Sequence, residues 1–516
     1  MKKLNSIWIL IFAVLTLWGC RDNSTGPSQV EEASAQKKFV WNAMNYWYYW
    51  QSDVPELADN HQHFSDGQAF QDYLKSFSDA ENLFNALQYS EDRFSFFIDD
   101  YEAYQNEQNG IYAALGLNYG YFYKSSQSNE LVGYIRYVIP GTPADDAGLK
   151  RLNLFTKVDG TTITENNYLN LLTGNSAHEL TIAHLDTTGG TISFPEDSTV
   201  SVASEKVVED PVYKAEVIDT SGINIGYLMY NAFQGNSHHR LNEVFGDFKS
   251  KGIDDLVLDL RYNGGGGVLT SQLLSSLISG LGGSDKFSDL TYNDKRSARD
   301  HSLYFLDKVP LENENGEFDT SNGEYVNTEP INNLSLDKLY VLTSSGTASA
   351  SEVLINSLKP YIDVEVIGYK TVGKDVGSLT LYDAPAPYLD DSEANPDHKN
   401  AIQPIVVKIV NSNGDDYPDG FKPDGYTNDG CQDSNTDNCV IEVTVDNLLK
   451  RPAIGDPEEP LLARAIALIT GQTTKIKSQT TPIVLKEATL KRGIQDLRPH
   501  GNGMYIEPFM LPDSDN

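Results

Sequence analysis

A short and nearly continuous apolar run places the strongest constraint on how this chain can fold. Residues 256–260 (LVLDL) include one polar side chain, Asp259, which is typical of a strand buried on both faces of a parallel sheet. Four glycines, residues 264–267, follow closely, and residues 268–281 then have helical spacing. A second buried strand at 339–342 leads into a helix in the same way. The region therefore predicts an α/β sheet with crossover helices.

Further segments extend this α/β pattern in both directions. Residues 223–233 predict a strand, 241–251 a helix, and 364–368 and 402–410 two more strands of the sheet. Residues 285–335 carry many polar residues and few periodic apolar ones, so we interpret them as an excursion from the sheet, in the manner of a flap. In open α/β sheets, functional sites form where strands end and helices begin.

The chain of 516 residues is too long for one ordinary hydrophobic core, and its character changes along its length. An aromatic-rich stretch, residues 38–108, has Trp41, Met44, Trp47 and Tyr48 at helical spacing and predicts a helical N-terminal domain. A β-rich domain with Gly and polar turns, the α/β core and a C-terminal extension follow at 109–205, 206–475 and 476–516. The expected fold class is therefore α/β and multidomain.

The first residues have the features of an export signal. A positively charged start precedes an apolar run, 7–18, which is too short for a lasting membrane span and ends at Gly19-Cys20. This stretch resembles the lipobox of bacterial lipoproteins, which implies a signal peptide at 1–20 and a lipid on Cys20. The polar residues 21–37 would then be a tether. The implied location is a bacterial cell envelope, lipid-anchored and periplasmic or surface-facing; the alternative is ordinary secretion with an incidental cysteine.

The charge and the cysteines narrow the possible partners. A formal net charge of −34 argues against nucleic acid, because a field of that sign repels phosphates. The nine histidines are scattered and no H-E-x-x-H or C-x-x-C pattern occurs, so we expect neither a metal site nor a cofactor. Cys431 and Cys439 are an even pair in a chain predicted to be exported, which favours a disulfide over two free thiols.

A candidate nucleophile lies where the strand at 339–342 gives way to small residues and a helix. In TSSGTASASE (343–352), a sharp strand-to-helix turn would expose one serine and direct backbone N–H groups toward it, as acyl transfer requires. Ser and Thr also cap helices often, so this segment alone leaves both interpretations open. Lys374 follows Ser349 by 25 residues, about the length of a helix and a returning strand. Both can therefore reach one sheet edge, where a desolvated lysine can act as a general base.

These motifs together carry a family resemblance. TASASE at 347–352, with Gly-Lys 25 residues after its central serine, and DLRYNGGG at 259–266 resemble the tail-specific, or C-terminal processing, serine proteases. The resemblance covers roughly residues 38–470. It implies a Ser–Lys dyad with an oxyanion hole of backbone N–H groups: Ser349 as nucleophile, Lys374 as base, and Gly265 or Gly266 with Ala350 as oxyanion donors.

Residues 138–160 carry a second resemblance. Their Pro-Ala and Ala-Gly-Leu stretch is similar to that of the PDZ domains of bacterial proteases. Such domains bind peptide C-termini by adding a strand to a sheet edge and capturing the carboxylate on backbone N–H groups. The resemblance implies a carboxylate loop at Leu115, Gly116 and Leu117, and substrates that are unfolded polypeptides or chains with free C-termini. The alternative is a β-rich spacer that binds nothing.

One position departs from the family pattern. Many members place Gln four residues after the lysine, to orient it, and here that position is Ser378. Its hydroxyl can still accept a lysine hydrogen bond, although its reach is shorter. Two functional classes therefore stay open: a serine endopeptidase, and a catalytically weak relative that only binds extended peptides or C-termini.

Other motifs compete for the same residues. Residues 368–374 match a phosphate-binding loop, except that Asp375 stands where Ser or Thr must hold Mg²⁺. The glycine run could also cradle an anion. A Ser–His–Asp arrangement would need His238, His239 or His301, and none of these has a supporting local motif.

Overall fold

The computed structural model describes residues 32–60, 67–172, 176–427, 430–431, 437–472 and 503–512. The predicted signal peptide, Cys20 and most of the predicted tether lie outside these residues. The tether prediction also extends too far, because the first helix begins at Ala35, after the N-cap residue Ser34. Among the described residues, no helix is long and apolar enough to cross a membrane.

The N-terminal region is mainly helical, as predicted. Its described elements are α1 (Ala35–Trp47), α2 (Gly67–Lys75), α3 (Ala80–Ala86), β1 (Phe96–Ile98) and α4 (Tyr101–Gln108). The predicted aromatic stripe faces inward, with Met44, Trp47 and Tyr48 fully buried. Trp47 Nε1–H donates to the Pro387 carbonyl at 2.8 Å, and these side chains belong to the same hydrophobic core as the later α/β region. The N-terminal helices therefore share a core with the region that holds the candidate site.

Residues 111–208 are β-rich, as predicted. The elements are β2 (Ile111–Ala114), β3 (Leu117–Tyr123), β4 (Leu131–Val138), α5 (Pro143–Asp146), β5 (Leu154–Val158), β6 (Thr161–Thr162), α6 (Tyr168–Leu171), β7 (His178–Ala183), β8 (Glu196–Val202) and β9 (Glu205–Val208). Strands β3, β4, β5, β7 and β8 form one antiparallel sheet in that order, and β6 pairs with β5. Strands β2 and β9 pair with each other, so the chain enters and leaves this region side by side.

The remaining described chain alternates strands and helices. The elements are β10 (Val212–Thr220), β11 (Ile223–Tyr230), α7 (His238–Lys251), β12 (Asp255–Asp259), α8 (Val268–Ser279), β13 (Lys286–Tyr292), β14 (His301–Tyr304), β15 (Lys308–Pro310), β16 (Thr320–Ser321), β17 (Glu324–Tyr325), β18 (Thr328–Pro330), β19 (Lys338–Thr343), α9 (Ala350–Leu358), β20 (Asp363–Gly368), β21 (Val376–Ser378), β22 (Leu381–Tyr382), β23 (Ala401–Gln403), β24 (Ile405–Asn411), β25 (Tyr426–Thr427), β26 (Gly430–Cys431), α10 (Val445–Lys450) and α11 (Pro460–Thr470).

The central sheet confirms the α/β prediction. Its strand order is β10-β11-β12-β19-β20, and β11, β12, β19 and β20 run parallel. Leu256 and Leu258 of β12 pack into one hydrophobic cluster, and Val257 between them packs into a second cluster with Leu461 and Leu462 of α11. Strand β12 is therefore buried on both faces. Because the strands are parallel, the loops that follow β12, β19 and β20 meet at one edge of the sheet.

One prediction about this region is wrong. Residues 402–410 are not a strand of the central sheet: they form β23 and β24, which belong to the separate sheets β1-β23-β22 and β14-β13-β24-β21. Residues 285–335 leave the central sheet, as predicted, but they begin with β13, an inner strand of the second of these separate sheets. Phe287 and Leu290 of β13 are buried, and the polar residues between them obscured the strand in the sequence.

The disulfide predicted between Cys431 and Cys439 is present. The chain beside it pairs with the end of β20: the Gly368 N–H donates to the Asn438 carbonyl at 2.8 Å, and the Val440 N–H donates to the Gly368 carbonyl at 3.0 Å. The disulfide therefore lies beside the strand end that leads into the Lys374 loop.

A segment late in the chain returns to the core. Tyr505 pairs with Gly267 on one side and with Ser378 on the other, in the parallel direction both times. Its neighbours Met504 and Ile506 are buried. The sequence predicts only an extension at 476–516, part of which lies outside the described residues, and gives no sign of this pairing.

Candidate active site

Ser349 lies in a strained turn between β19 and α9. Its φ is +67°, a value that residues other than glycine rarely adopt. The side chain is fully buried, and its Oγ has no hydrogen-bond partner among the described residues. A buried hydroxyl without a partner costs free energy and is rare in a purely structural role. The geometry therefore favours a nucleophile over a simple helix cap at this position.

The glycine run after β12 lies directly against Ser349. Gly265 has a φ of +115°, and a Cβ there would come within 2.6 Å of Ser349 Oγ and 3.1 Å of the Ala350 nitrogen. Gly266 has a φ of +135°, and a Cβ there would come within 2.3 Å of the Phe233 carbonyl oxygen. Both positions therefore require glycine, for their backbone angles and for the close approach.

The predicted oxyanion donors are not equivalent. The Gly265 N–H donates to Asn263 Oδ1 at 2.8 Å, so in this arrangement it does not point to a substrate oxygen. Of the two predicted alternatives, the geometry favours Gly266 over Gly265 as the partner of Ala350, and the oxyanion role of this pair stays a prediction. The Gly266 carbonyl accepts a hydrogen bond from the Tyr505 N–H at 3.3 Å, which brings the late segment against this loop.

Lys374 lies in the loop between β20 and β21 and has only 2% of its surface exposed. Burial lowers the pKa of its ammonium group from 10.5 to about 7, although the carboxylates of Asp92 and Glu352 oppose this shift. Its Nζ lies 5.1 Å from the centroid of the Phe94 ring. Residues of the N-terminal region therefore cover the lysine and help to desolvate it.

One carboxylate joins the Ser349 turn to the Lys374 loop. Glu352 Oε2 accepts from the Ser349 N–H at 2.9 Å and from the Lys374 N–H at 2.8 Å. Its Oε1 accepts from the Gly373 N–H at 2.7 Å and from the Thr371 hydroxyl at 2.5 Å. Burial raises the pKa of this carboxyl, but its backbone neighbours can only donate, so the site suits the ionised acceptor. Glu352 therefore fixes the backbones of the two predicted catalytic residues relative to each other.

Glu352 is not among the predicted site residues, although the sequence carries a signal for it. A glutamate three residues after an N-cap serine has the spacing of a capping box. In that motif the carboxylate bonds only the N-cap N–H. Here it also reaches the 371–374 loop, a contact that no local pattern announces.

The hydroxyl of Ser378 has other partners than the predicted one. Its Oγ–H donates to the Met504 carbonyl at 2.7 Å, and it accepts from Gln403 Nε2 at 2.8 Å. Gln403 is itself fully buried and its Oε1 accepts from the Thr380 hydroxyl at 2.7 Å. These contacts link Ser378 to the late segment, and the orientation of Lys374 by Ser378 stays a prediction.

The competing motifs lose support from the geometry. The Gly373 and Lys374 N–H groups, which a phosphate-binding loop would direct at a phosphate, donate to the Glu352 carboxylate. Because Ser349 Oγ has no hydrogen-bond partner in the described part of the chain, none of the three candidate histidines pairs with it. His238, for example, is buried between the Pro310 carbonyl and the Thr270 hydroxyl. Nor do the described residues contain a group of three or more His, Cys, Asp or Glu placed to hold a metal.

The predicted peptide-binding loop is held through its carbonyl groups. The Leu115 carbonyl accepts from the Ala144 N–H at 3.0 Å, and the Gly116 carbonyl accepts from the Ile139 N–H at 2.8 Å. Gly116 has a φ of +84°, which suits a glycine in a turn, and Leu117 is fully buried. The loop is thus well ordered against the start of α5, and capture of a carboxylate there stays a prediction.

Comparison with known proteins agrees with this geometry. Residues 224–388 match the family described as peptidase family S41, and residues 35–96 match the peptidase S41 N-terminal domain. The carboxyl-terminal-processing peptidase 2 of Arabidopsis thaliana chloroplasts is 26% identical over 297 residues, 55% of this chain and 50% of that protein. The carboxyl-terminal-processing protease of Picosynechococcus is 26% identical over 249 residues, 46% of this chain and 49% of its own. The chain thus spans about half the length of these relatives.

The fold has a solved counterpart. A protein of Bacteroides fragilis assigned to the S41 proteases superimposes with a TM-score of 0.59 at 25% identity, covering 84% of this chain and 97% of the other. The α/β sheet, the strained serine turn and these matches make the chain similar to the serine-type peptidases of family S41. More narrowly, the similarity to peptidase family S41 lies in residues 224–388, and the similarity to the S41 N-terminal domain lies in residues 35–96.

Proposed function

We propose that this protein is a serine endopeptidase of the C-terminal processing type, with Ser349 as nucleophile and Lys374 as general base. The observation that carries the proposal is the pair of buried groups held on one carboxylate: Glu352 Oε2 accepts from the backbones of both residues. A lysine whose pKa falls to about 7 is about half in the neutral amine form near neutral pH, and a serine's general base requires that form.

The reaction follows from these groups. Ser349 Oγ attacks the scissile carbonyl carbon while Lys374 Nζ takes the hydroxyl proton, and the N–H groups of Gly266 and Ala350 stabilise the oxyanion. The lysine then gives its proton to the leaving amine, and an acyl-enzyme forms on Ser349. Water attacks this ester with Lys374 again acting as base, which releases the acid and restores the serine.

The two side chains are not hydrogen-bonded in this structure, because Ser349 Oγ has no partner among the described residues. Catalytic hydrogen bonds are often long in a resting enzyme and tighten when substrate binds. We therefore place formation of the Ser349–Lys374 contact in the substrate-bound state. In the alternative function, peptide binding without turnover, the lowered pKa of Lys374 would have no catalytic role.

Covalent labelling tests the nucleophile. A fluorophosphonate probe should label the wild-type protein on Ser349 and should not label Ser349→Ala. Ser351→Ala is the matched control, because Ser351 is a buried serine on the same helix turn, and it should keep labelling. Labelling of folded Ser349→Ala at the wild-type rate would contradict the assignment.

The base is tested by turnover of an unfolded protein substrate. Lys374→Ala and Lys374→Arg should each lower kcat by about 10²- to 10⁴-fold, because neither residue can take the serine proton near neutral pH. His239→Ala should keep wild-type activity. A folded Lys374→Ala variant with near wild-type turnover would end the Ser–Lys mechanism.

The C-terminal preference rests on the similarity to carboxyl-terminal-processing peptidases and on the PDZ resemblance of residues 138–160. Peptides with a free carboxylate should bind and be cleaved better than amidated copies of the same sequence. Equal binding of the two forms would remove the carboxylate site at Leu115, Gly116 and Leu117 from the proposal.

The location of the enzyme is also a proposal. The lipobox resemblance supports a mature chain that begins at a lipidated Cys20 and is held at a bacterial cell envelope, facing the periplasm or the surface. Mass spectrometry of the mature N-terminus checks this directly. An unmodified N-terminus at another residue would contradict the lipid anchor.

A further inference from the structure

The late segment 503–512 lies across the candidate site as an inserted strand. Four backbone hydrogen bonds hold it: the Tyr505 N–H donates to Gly266 at 3.3 Å, Val268 donates to Tyr505 at 3.1 Å, Ser378 donates to Met504 at 3.0 Å, and Ile506 donates to Ser378 at 3.0 Å. One wall of this groove is therefore the oxyanion loop, and the other is the strand that follows Lys374. An extended polypeptide that adds a strand here would make the same bonds.

The nucleophile is closed off in the same state. Ser349 has no exposed surface and Lys374 has 2%, so a polypeptide cannot reach either residue unless part of the molecule moves. The segment pairs with Gly266 and Gly267, which follow Gly265 in the chain, and a Cβ on Gly265 would come within 2.6 Å of Ser349 Oγ.

The segment is not held as an ordinary core strand would be. It carries Glu507, whose Oε2 is buried without a hydrogen-bond partner among the described residues. Burial and the nearby Glu312 carboxylate raise the pKa of this carboxyl to about 8, although the Leu269 N–H opposes the shift. Ionisation of a buried carboxyl with one unpartnered oxygen costs free energy, and this cost weakens the docking of the segment. Phe509 instead favours docking of the segment. Its ring centroid lies 5.7 Å from that of Phe318 and 6.0 Å from that of Tyr325.

We propose that the groove between Gly266–Val268 and Ser378 is the site in which a polypeptide substrate binds as an added strand, and that residues 503–512 occupy it as an intramolecular competitor. The inference rests on the proposed function for its substrate. Release of the segment opens the groove, and docking of the segment closes it.

A substitution in residues 503–512 that weakens their docking tests the proposal without changing the residues that line the groove. Phe509→Ala removes two ring contacts and should raise kcat/KM on an unfolded protein by about 2- to 10-fold, because an aromatic pair contributes about 0.5–1.5 kcal/mol. Phe70→Ala is the matched control, since it removes one ring contact with Trp41 in the N-terminal helices and should leave kcat/KM unchanged.

A binding measurement separates this inference from the catalytic one. In the Ser349→Ala background, Phe509→Ala should raise the affinity for a fluorescent unfolded peptide by the same factor. A synthetic peptide of residues 503–512 should compete with it, and a scrambled peptide of the same composition should not. If affinity rises but no form of the protein shows turnover, the groove assignment stands and the proposed function fails.

The opposite result would overturn the inference. A Phe509→Ala protein with a lower Tm, lower kcat/KM and no gain in peptide affinity would show that residues 503–512 are only a structural strand. Stimulation by the synthetic peptide, in place of inhibition, would lead to the same conclusion.

Discussion

Two buried cations lie in the loops that follow strands of the central sheet, and they have opposite surroundings. Arg261 is fully buried, with Asp259 at 2.8 Å and Glu459 at 2.6 Å. Burial opposes its charge, but these carboxylates outweigh burial and hold the pKa of Arg261 well above its usual value. Lys374 is also buried, but there burial wins and its pKa falls to about 7. The difference teaches that the balance between burial and the surrounding carboxylates, and not depth alone, decides whether a buried base keeps its proton.

The carboxylates near Arg261 and near Lys374 also differ in the groups that they contact. Around Arg261 the acids point at the guanidinium itself, and Glu442 extends the cluster to Arg151 of the β-rich region. At Lys374 the Glu352 carboxylate directs its oxygens at backbone N–H groups and at the Thr371 hydroxyl. The first arrangement holds regions together, and the second orders the loops while leaving the lysine able to lose its proton.

The largest expected effect is a loss of stability when the Arg261 cluster is disrupted. Arg261→Met leaves Asp259 buried without its cation and Glu459 with the more distant Arg151, at 3.7 Å, which should lower the free energy of unfolding by about 3–5 kcal/mol. Chemical denaturation followed by tryptophan fluorescence measures this. Arg240→Met is the control: Arg240 is half-exposed, with ion pairs at 3.7 and 3.8 Å, and its loss should cost less than about 1 kcal/mol. Equal losses in both variants would contradict the comparison.

The next effect concerns Glu352. Glu352→Gln replaces one acceptor oxygen by an amide donor, so at least one buried donor loses its partner, at about 1–3 kcal/mol each. We expect a large fall in kcat on an unfolded protein substrate, because the Ser349 turn and the Lys374 loop are no longer held together. Ser351→Ala on the same helix removes one hydrogen bond, to the Asn263 carbonyl, and should change kcat little. A Gln variant with wild-type kcat would show that the carboxylate only stabilises the fold.

Of the two compared cations, the sequence predicts the placement of Lys374. Ser349 and Lys374 follow from a buried strand, a helix and a returning strand, because that order places both at one sheet edge. Glu352 follows only in part, since its capping contact is local but its contacts to 371–374 are not. Phe94 and Asp92 come from about 280 residues earlier in the chain, and the 504–506 strand is too short to show any periodicity. Contacts of this kind depend on tertiary packing, which no local pattern encodes.

The pH dependence of activity sharpens the contrast between the two cations. Below its pKa Lys374 is protonated and cannot take the serine proton, so kcat should rise with pH and level off above about pH 7. Well below that pH, kcat should fall about tenfold for each unit. Arg261 stays charged throughout this range and should contribute no step. A profile that is flat from pH 5 to 9, with chemistry as the slow step, would contradict the neutral-lysine mechanism.

The smallest expected effect is a shift in the pKa of Lys374. It separates two opposing influences of the Phe94 ring on that pKa. The ring excludes water, which lowers the lysine pKa, but its face also favours a cation at 5.1 Å, which raises that pKa. Phe94→Leu keeps an apolar cover and removes the ring, so the acid limb of the kcat profile should shift to lower pH by less than about one unit. Phe94→Ala admits water and should shift the limb to higher pH. Phe97→Leu, which alters the neighbouring contact with Phe84, should leave the limb in place. If both Phe94 variants shifted the limb in the same direction, solvent access alone would set the lysine pKa and the ring would have no electrostatic part in it.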